Sequence, residues 1–383
     1  MPSTFKFGKI AGIEIGVHWS WVFIFGLITW SLATGILETY YSEWSETLRW
    51  GVGVIIAIIF FISILLHELS HSLVAKARGI HVEGITLFVF GGVSQLGREA
   101  ESAGEEFQIA IVGPITSLAI GGGFAILWWV LQGPAPDAAA IAAYLAFINA
   151  VIAAFNMLPG FPLDGGRVFR SIVWARNRNL LRATRIASRT GEVVAYSLMA
   201  LGAAQFVAAG VDQLHFLSNP VGGVWMFIIG MFLRNASASS YEQLVLQTTL
   251  EGITAGEIAS RDFIPIPPDM KVDHLVSEMM LVGRGRSYPV VAGEEILGLI
   301  TLTDAQKLER SKWPATSVYS VMTPFENLRT VSPDDEAAAV LGLMSETDVN
   351  QVPVVVGNRI IGIISRADIL RLIQMRRAVA SEA

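Results

Sequence analysis

Residues 51–75 read GVGVIIAIIFFISILLHELSHSLVA. The run is long enough to cross a bilayer, which takes about 20 mostly apolar residues. Its only titratable side chains are His67, Glu68 and His71. Ionisable groups inside a span are costly and point to function. Positions i and i+4 of a helix share a face, so both imidazoles can reach one ion. Zinc takes imidazole nitrogen readily, and Glu68 sits near enough to take a proton from water there. The alternative is a polar bundle interior in which the three groups satisfy one another. Three buried titratable groups without an ion are expensive, which argues against it.

Working outward, five more apolar runs lie at roughly 17–37, 107–132, 138–158, 190–210 and 221–235, the last of them short. With 51–75 they make six expected spans. The first, from Val17 to Leu37, is longer than the apolar core of a cleaved signal peptide. Composition agrees: 52% of residues are hydrophobic and only 16% charged, against about 25% charged in soluble domains. Residues 1–240 hold 14 Lys and Arg and 14 Asp and Glu, whereas 241–383 hold 13 and 19. The first part reads as membrane and the acidic second part as a water-facing domain. No basic block exists, so no nucleic-acid partner is expected. Cysteine is absent, which excludes disulfides, thiolate metal ligands and a cysteine nucleophile. In the loops between spans, Lys6, Lys9, Lys76, Arg78, Arg98, Arg167, Arg170, Arg176, Arg178, Arg182, Arg185, Arg189 and Arg234 fall on one side and Arg49 alone on the other. That asymmetry predicts a multi-pass protein of the cell membrane with both termini in the cytoplasm.

A catalytic zinc site takes a third protein ligand and keeps an open position. By type the candidates include His18, His81, His215 and His274. Asp164 fits better, within Asn156-Met157-Leu158-Pro159-Gly160-Phe161-Pro162-Leu163-Asp164-Gly165-Gly166. The second and fourth spans both run from outside to inside, so Asp164 follows a cytoplasmic end at the depth of His67 and His71. The prolines and glycines interrupt helix there, which a membrane tolerates only where protein or a wet cavity covers the backbone. The competing role for Asp164 is a helix N-cap at the membrane surface. Between spans two and three, IHVEGITLFVFGGVSQL (80–96) is β-branched and aromatic with a Gly91-Gly92 break. It predicts a β-hairpin or small sheet at the cytoplasmic face, either structural or an edge for an extended substrate strand. His18, beside the interfacial Trp19 and Trp21, reads as structural or gating. Gly113-Pro114 and Gly121–Gly123 read as helix-packing features, and Arg176–Arg189 as a cytoplasmic, partly helical connector near lipid headgroups.

These residues resemble the site-2 protease family of intramembrane zinc metalloproteases. Its HExxH matches His67, Glu68 and His71, and its N-x-x-P…P-x-D-G-G signature matches Asn156, Pro159, Pro162, Asp164, Gly165 and Gly166. The resemblance implies one zinc per chain on His67, His71 and Asp164, with Glu68 as general base. It implies that Asn156 holds substrate backbone or the oxyanion; a helix-bundle hydrogen bond is the other reading of that residue. It also implies regulated intramembrane proteolysis of a single-span membrane protein already trimmed by another protease.

Beyond a small-residue linker at 236–250 that grades into a helix lies an internal repeat. Ser287-Tyr-Pro-Val-Val returns as Gln351-Val-Pro-Val-Val, and Gly298-Leu-Ile-Thr-Leu-Thr-Asp304 as Gly362-Ile-Ile-Ser-Arg-Ala-Asp368, at an offset of 64. Each copy reads helix, strand, strand, helix. The pair is similar to tandem CBS domains. That likeness implies an adenine nucleotide held by Thr301, Asp304, Ser365 and Asp368; the plainer reading makes both aspartates helix N-caps. A homodimer through the CBS domains is also compatible. The expected fold is thus a polytopic α-helical membrane protein of about six transmembrane helices with a small cytoplasmic-side β-hairpin or sheet, followed by an α/β tandem CBS module. Residues 1–240 form the membrane metalloprotease domain and 241–383 the cytoplasmic CBS pair, at about 250–312 and 315–378. The rival function is a CBS-gated transporter or channel with His67, Glu68 and His71 as an ion path. An ion path does not require Asp164 in its Pro/Gly setting, and the spans show no inverted repeat.

Overall fold

The computed structural model describes residues 4–208, 220–281, 287–293, 295–357 and 359–381, so His215 lies outside the described residues. The chain divides into two units, Met1–Glu242 and Gln243–Ala383.

The first unit opens with a hairpin that hydropathy alone misses. β1 (Phe5–Ile10) and β2 (Ile13–Val17) pair antiparallel across Ala11-Gly12, both at positive φ. Ile13, Ile15 and Val17 alternate inward in the two-residue period of a half-buried strand, and all three are buried. The first span therefore begins at Ser20, not at 17. β2 runs parallel to β3 (Val82–Phe88), which turns back into β4 (Gly91–Leu96), giving a sheet of order β1-β2-β3-β4. The expected 80–96 hairpin is thus one half of a four-stranded sheet.

The helices are α1 (Ser20–Ser31), continued through a π-helical turn at Leu32–Ile36 into α2 (Leu37–Tyr40), then α3 (Glu46–Ala77), α4 (Ala103–Leu131), α5 (Pro136–Asn156), α6 (Asp164–Asn177), α7 (Leu180–Ala208) and α8 (Pro220–Leu250). Six helical stretches are long and apolar enough to cross a membrane: Ser20–Tyr40, Glu46–Ala77, Ala103–Leu131, Pro136–Asn156, Leu180–Ala208 and Val221–Leu250. Their ends follow local chemistry. Ser45 caps α3 by accepting from Leu48 N, Ser102 caps α4 by accepting from Glu105 N, and Pro136 sits at the start of α5. Arg178 at positive φ breaks α6 from α7, and Asn179 then caps α7 by accepting from Arg182 N. Two boundaries differ from the sequence reading. The arginine connector at 176–189, expected to be partly helical, is the end of α6 and the first turns of α7, which starts at Leu180 instead of 190. The short sixth span and its linker are one continuous helix, because no Gly or Pro interrupts 231–251 until Gly252 ends it at positive φ.

Much apolar surface stays outside. Ile55, Ile58, Ile62 and Leu66 of α3 are exposed, while Ser63, His67 and His71 on its other face are buried. A helix greasy outward and polar inward is made for lipid, where polar groups must be satisfied within the bundle. The sheet packs Ile13, Ile15, Val82 and Ile85 against Leu69, Ala75 and Ile109, so it docks on the turn of α3 that carries the histidines.

The second unit is the repeat made solid. After α9 (Ala255–Ile258) come a helical stretch begun by α10 (Val272–His274) and continued as π-helix at Leu275–Met280, strands β5 (Ser287–Ala292) and β6 (Glu295–Thr301), and α11 (Leu302–Gln306). The second copy brings β7 (Thr323–Pro324), α12 (Ala337–Glu346), β8 (Gln351–Val356), β9 (Arg359–Ser365) and α13 (Arg366–Ser381). The copies exchange their leading segments. Thr323–Pro324, ahead of the second copy, pairs with β6, and Ser260, ahead of the first, pairs with Ile363 of β9. Neither copy closes its sheet alone, which is why the two must fold together.

Candidate metal centre

α3 turns the side chains of His67 and His71 to one side, four residues apart. α6 begins at Asp164, just past the broken segment 157–163, and sends its carboxylate to meet them. His67 Nε2 lies 3.0 Å and His71 Nε2 3.1 Å from Asp164 Oδ2, and the two Nε2 atoms are 3.3 Å apart. The outer ring nitrogens are engaged elsewhere. His71 Nδ1 donates to the Ile109 carbonyl at 2.5 Å, and His67 Nδ1 lies 2.9 Å from Ser117 Oγ. A carbonyl only accepts, so the neutral His71 ring carries its lone pair on Nε2, toward Asp164.

Two imidazole nitrogens and a carboxylate oxygen facing one another within 3.3 Å repel unless a proton or a metal cation lies among them. The donor set, two neutral imidazoles and one carboxylate, is that of a catalytic zinc site. The space is kept by Gly113 of α4. A Cβ there would press on both rings, with His67 Nε2 only 2.7 Å away. On these observations the residues fit a metal ion. Among the described residues His67, His71 and Asp164 are the one group of three or more metal-ligating side chains.

Glu68 points to the sheet side. Ser94 of β4 donates to Glu68 Oε2 at 3.2 Å and in turn accepts from Ser72 Oγ at 3.0 Å. Gly92 lies against the Glu68 side chain, leaving no room for a Cβ. β4 is an edge strand of its sheet. Asn156 closes α5, half-buried, and among the described residues its side-chain amide makes no hydrogen bond.

The other candidates lie elsewhere. His18 Nδ1 bonds Ser20 at the start of α1 and takes no part in the cluster. Thr301 and Asp304 form a reciprocal capping box on α11: Thr301 N and Oγ1 both donate to Asp304 Oδ2, at 3.1 and 2.7 Å, while Asp304 N donates back to Thr301 Oγ1 at 3.3 Å. Ser365 and Asp368 repeat it on α13, at 3.1, 2.5 and 3.2 Å. These residues therefore act as helix caps in this structure.

Ser117, Gly113 and the Ile109 carbonyl are functional neighbours that sequence reading assigned no such role. Small and polar residues at helical spacing in an apolar span (Gly113, Ser117, Gly121) are the signal that marks that face of α4 as a contact face. A backbone carbonyl carries no sequence signal at all, and Ser94 carries none beyond its strand.

Comparison with known proteins agrees with this geometry. The model of peptidase family M50 matches residues 55–141 and 133–200, segments that contain His67, Glu68, His71 and Asp164, and the CBS domain model matches 255–310 and 318–375. A protein of Mycobacterium tuberculosis named "Putative zinc metalloprotease Rip3" is 34% identical over 386 residues, covering 100% of this chain and 96% of its own. "Zinc metalloprotease MJ0392" of Methanocaldococcus jannaschii is 28% identical, covering 97% and 96%. Among solved structures, a site-2 protease from Methanocaldococcus jannaschii is 25% identical with a TM-score of 0.43, covering 61% of this chain and 94% of its own. A whole-length relative at this identity, together with a family match that takes in the converging histidines and Asp164, establishes that the chain belongs to peptidase family M50, the site-2 proteases, and carries a tandem pair of CBS domains.

Proposed function

We propose that this protein is an intramembrane zinc metalloprotease that hydrolyses peptide bonds within or near transmembrane segments of single-span membrane proteins, in regulated intramembrane proteolysis. Residues 1–240 would do the cutting, and the CBS pair in 241–383 would regulate it through an adenine nucleotide. The observation that carries the reading is the meeting of His67 Nε2, His71 Nε2 and Asp164 Oδ2 in a buried cradle lined by Gly113.

His67, His71 and Asp164 would hold zinc, one per chain. When bound, the metal supplies Lewis acidity, polarising the scissile carbonyl and making water acidic enough to attack at neutral pH. Glu68 takes the proton from that water as its oxygen bonds to the carbonyl carbon, then delivers it to the amide nitrogen as the C–N bond breaks. Ser94 orients Glu68 for both transfers. The unengaged amide of Asn156 suits a substrate backbone, and the open edge of β4 suits an extended strand, which a helical substrate must become before its peptide bonds can be reached. Lys and Arg placement supports both termini in the cytoplasm.

Metal analysis of the purified full-length protein tests the reading. About one zinc per chain is expected in the parent, and a sharp loss in both His67→Ala and Asp164→Ala. Zinc retained by both variants would sink the assignment.

A further inference from the structure

Asp164 meets the histidines only while α6 is held against α4, and a buried ion pair joins those two helices. Glu106 of α4 is fully buried, and Arg170 of α6 is 6% exposed. Arg170 Nε donates to Glu106 Oε1 at 2.6 Å, and Nη2 is paired with the same oxygen. Nη1 reaches Glu99 Oε2 and Thr184 Oγ1, each at 3.5 Å, tying in α7 and the segment ahead of α4. The guanidinium also lies over the Phe161 ring, 5.0 Å from its centre, three residues before Asp164.

Glu106 sits on the same face of α4 as Ile109, Gly113 and Ser117, at helical spacing. Those three hold His71, make room for both rings and bond His67. One helix face thus sets the imidazoles and, through Glu106, anchors the helix that brings the carboxylate. As a source of stability a buried ion pair is a poor choice: apolar residues of like volume usually do as well or better. Two N–H groups of one planar guanidinium converging on a single buried oxygen, Glu106 Oε1, fix instead where one helix lies against another.

We propose that the Glu106–Arg170 pair is a positioning device for the metal centre: it holds α6 against α4 so that Asp164 Oδ2 faces both Nε2 atoms. The inference rests on reading His67, His71 and Asp164 as a metal site. Glu106 and Arg170 touch neither metal nor substrate; they act through Asp164.

The test uses the full-length protein in detergent. Zinc is titrated into the metal-stripped protein against a competing chelator, and kcat and KM are measured on a quenched-fluorophore peptide with one transmembrane segment. Removing one partner alone strands a buried charge and risks misfolding, so the double variant E106Q/R170M, which leaves none, carries the experiment. It should fold, with a near-UV circular dichroism spectrum like the parent's, while zinc binding weakens by about 10- to 100-fold, as for loss of outer-shell partners of metal ligands. kcat should drop comparably, with KM within about twofold, since substrate contacts are untouched. R170K, which keeps the charge but loses the planar guanidinium, should fall between parent and double variant. E105Q, which breaks the more exposed Arg98–Glu105 pair one residue away, should match the parent. A folded double variant with the parent's zinc affinity and kcat would overturn the proposal. Asp164→Ala binding zinc as tightly as the parent would instead remove the metal-site reading beneath it, an outcome the double variant cannot mimic.

Discussion

Asp164 and Asp304 are both carboxylates in the first turn of a helix, yet they face opposite ways. Asp304 turns to Thr301, three residues back, and closes a box around its own helix start. Asp164 follows Leu163, whose side chain has no oxygen to share such a box, and its carboxylate reaches 97 residues back along the chain to His67. Gly165 and Gly166 let that start of α6 press against the backbone of Met157 and Gly160 so closely that a Cβ at either position would collide. Similar chemistry therefore serves two ends. A carboxylate with a hydroxyl partner in its own turn is spent on the fold, whereas one without a local partner is available to another element of the chain. In the membrane unit Asp164 joins His67 and His71 from another helix; in the CBS unit Asp304 and Asp368 finish their own helices.

The sharpest way to break this contrast is to alter Glu68, the proposed general base, which stands beside the meeting point of those three side chains and is not among the proposed ligands. Glu68→Gln keeps the shape and the Ser94 neighbour but cannot accept the proton. Turnover should fall by about 10²- to 10⁴-fold, the usual worth of a general base. Zinc content should stay at the parent level. An active Glu68→Gln protein, assayed at matched zinc loading, would take Glu68 out of the mechanism.

A smaller effect is expected from Gly113→Ala. The added methyl group enters the cradle against both rings, so the rings must shift and the distances to Asp164 must grow. Zinc affinity should weaken by about tenfold or more, on the scale of lost outer-shell support. Gly122→Ala, nine residues on in the same helix, meets nothing within 4 Å and should leave zinc binding unchanged. Equal zinc affinity in the two variants, measured by the same chelator competition, would show that the site does not depend on close approach of α4.

The spans, the HExxH pair and the partnership with Asp164 were legible because each leaves a sequence trace: an apolar run, an i, i+4 spacing, or a Pro/Gly break at a matching depth. Other features leave none, or a misleading one. Ala236-Ser-Ala-Ser-Ser240 has the composition of a linker, but small residues with no Gly or Pro among them extend a helix already under way. The hairpin 5–17 is too short and glycine-rich for hydropathy to separate from the span that follows; its strands exist because β3 offers an edge to β2. Glu106 and Arg170 lie 64 residues apart, and nothing in either neighbourhood indicates that they meet. Pairings set by tertiary packing become visible only in three dimensions, and the support of the metal centre is made almost wholly of them.

The smallest effects belong to the CBS unit, where the two capping boxes are close copies with one difference. Asp304 is buried and its second oxygen accepts from Lys307 Nζ at 3.0 Å. Asp368 is half-buried, and among the described residues its second oxygen has no partner; Arg371 stands at the position equivalent to Lys307 and makes no ion pair with it. Neither aspartate is the N-cap that the sequence suggested: Thr301 and Ser365 cap the helices, and each aspartate, three residues on, holds the cap's own N–H. Losing that half of the box costs about 1 kcal/mol, as for a cap, so Asp304→Ala and Asp368→Ala should each open their own helix start and leave zinc alone. Hydrogen exchange of peptides covering 301–306 and 365–370 should quicken by about fivefold, each only in its own variant. The proposed nucleotide separates the two. A ribose hydroxyl donates, and it needs a carboxylate oxygen with a lone pair to spare. Both have one, but Asp368 Oδ1 has no other donor among the described residues, whereas Asp304 Oδ1 already accepts from Lys307 Nζ, whose charge makes that oxygen the weaker acceptor. Calorimetric titration of the full-length protein with AMP should therefore be weakened more by Asp368→Ala than by Asp304→Ala. The reverse order would show that Asp304 accepts the ligand beside Lys307 and that the first copy is the binding half. A flat titration in the parent, repeated with ADP and ATP, would leave both aspartates as halves of their capping boxes and nothing more.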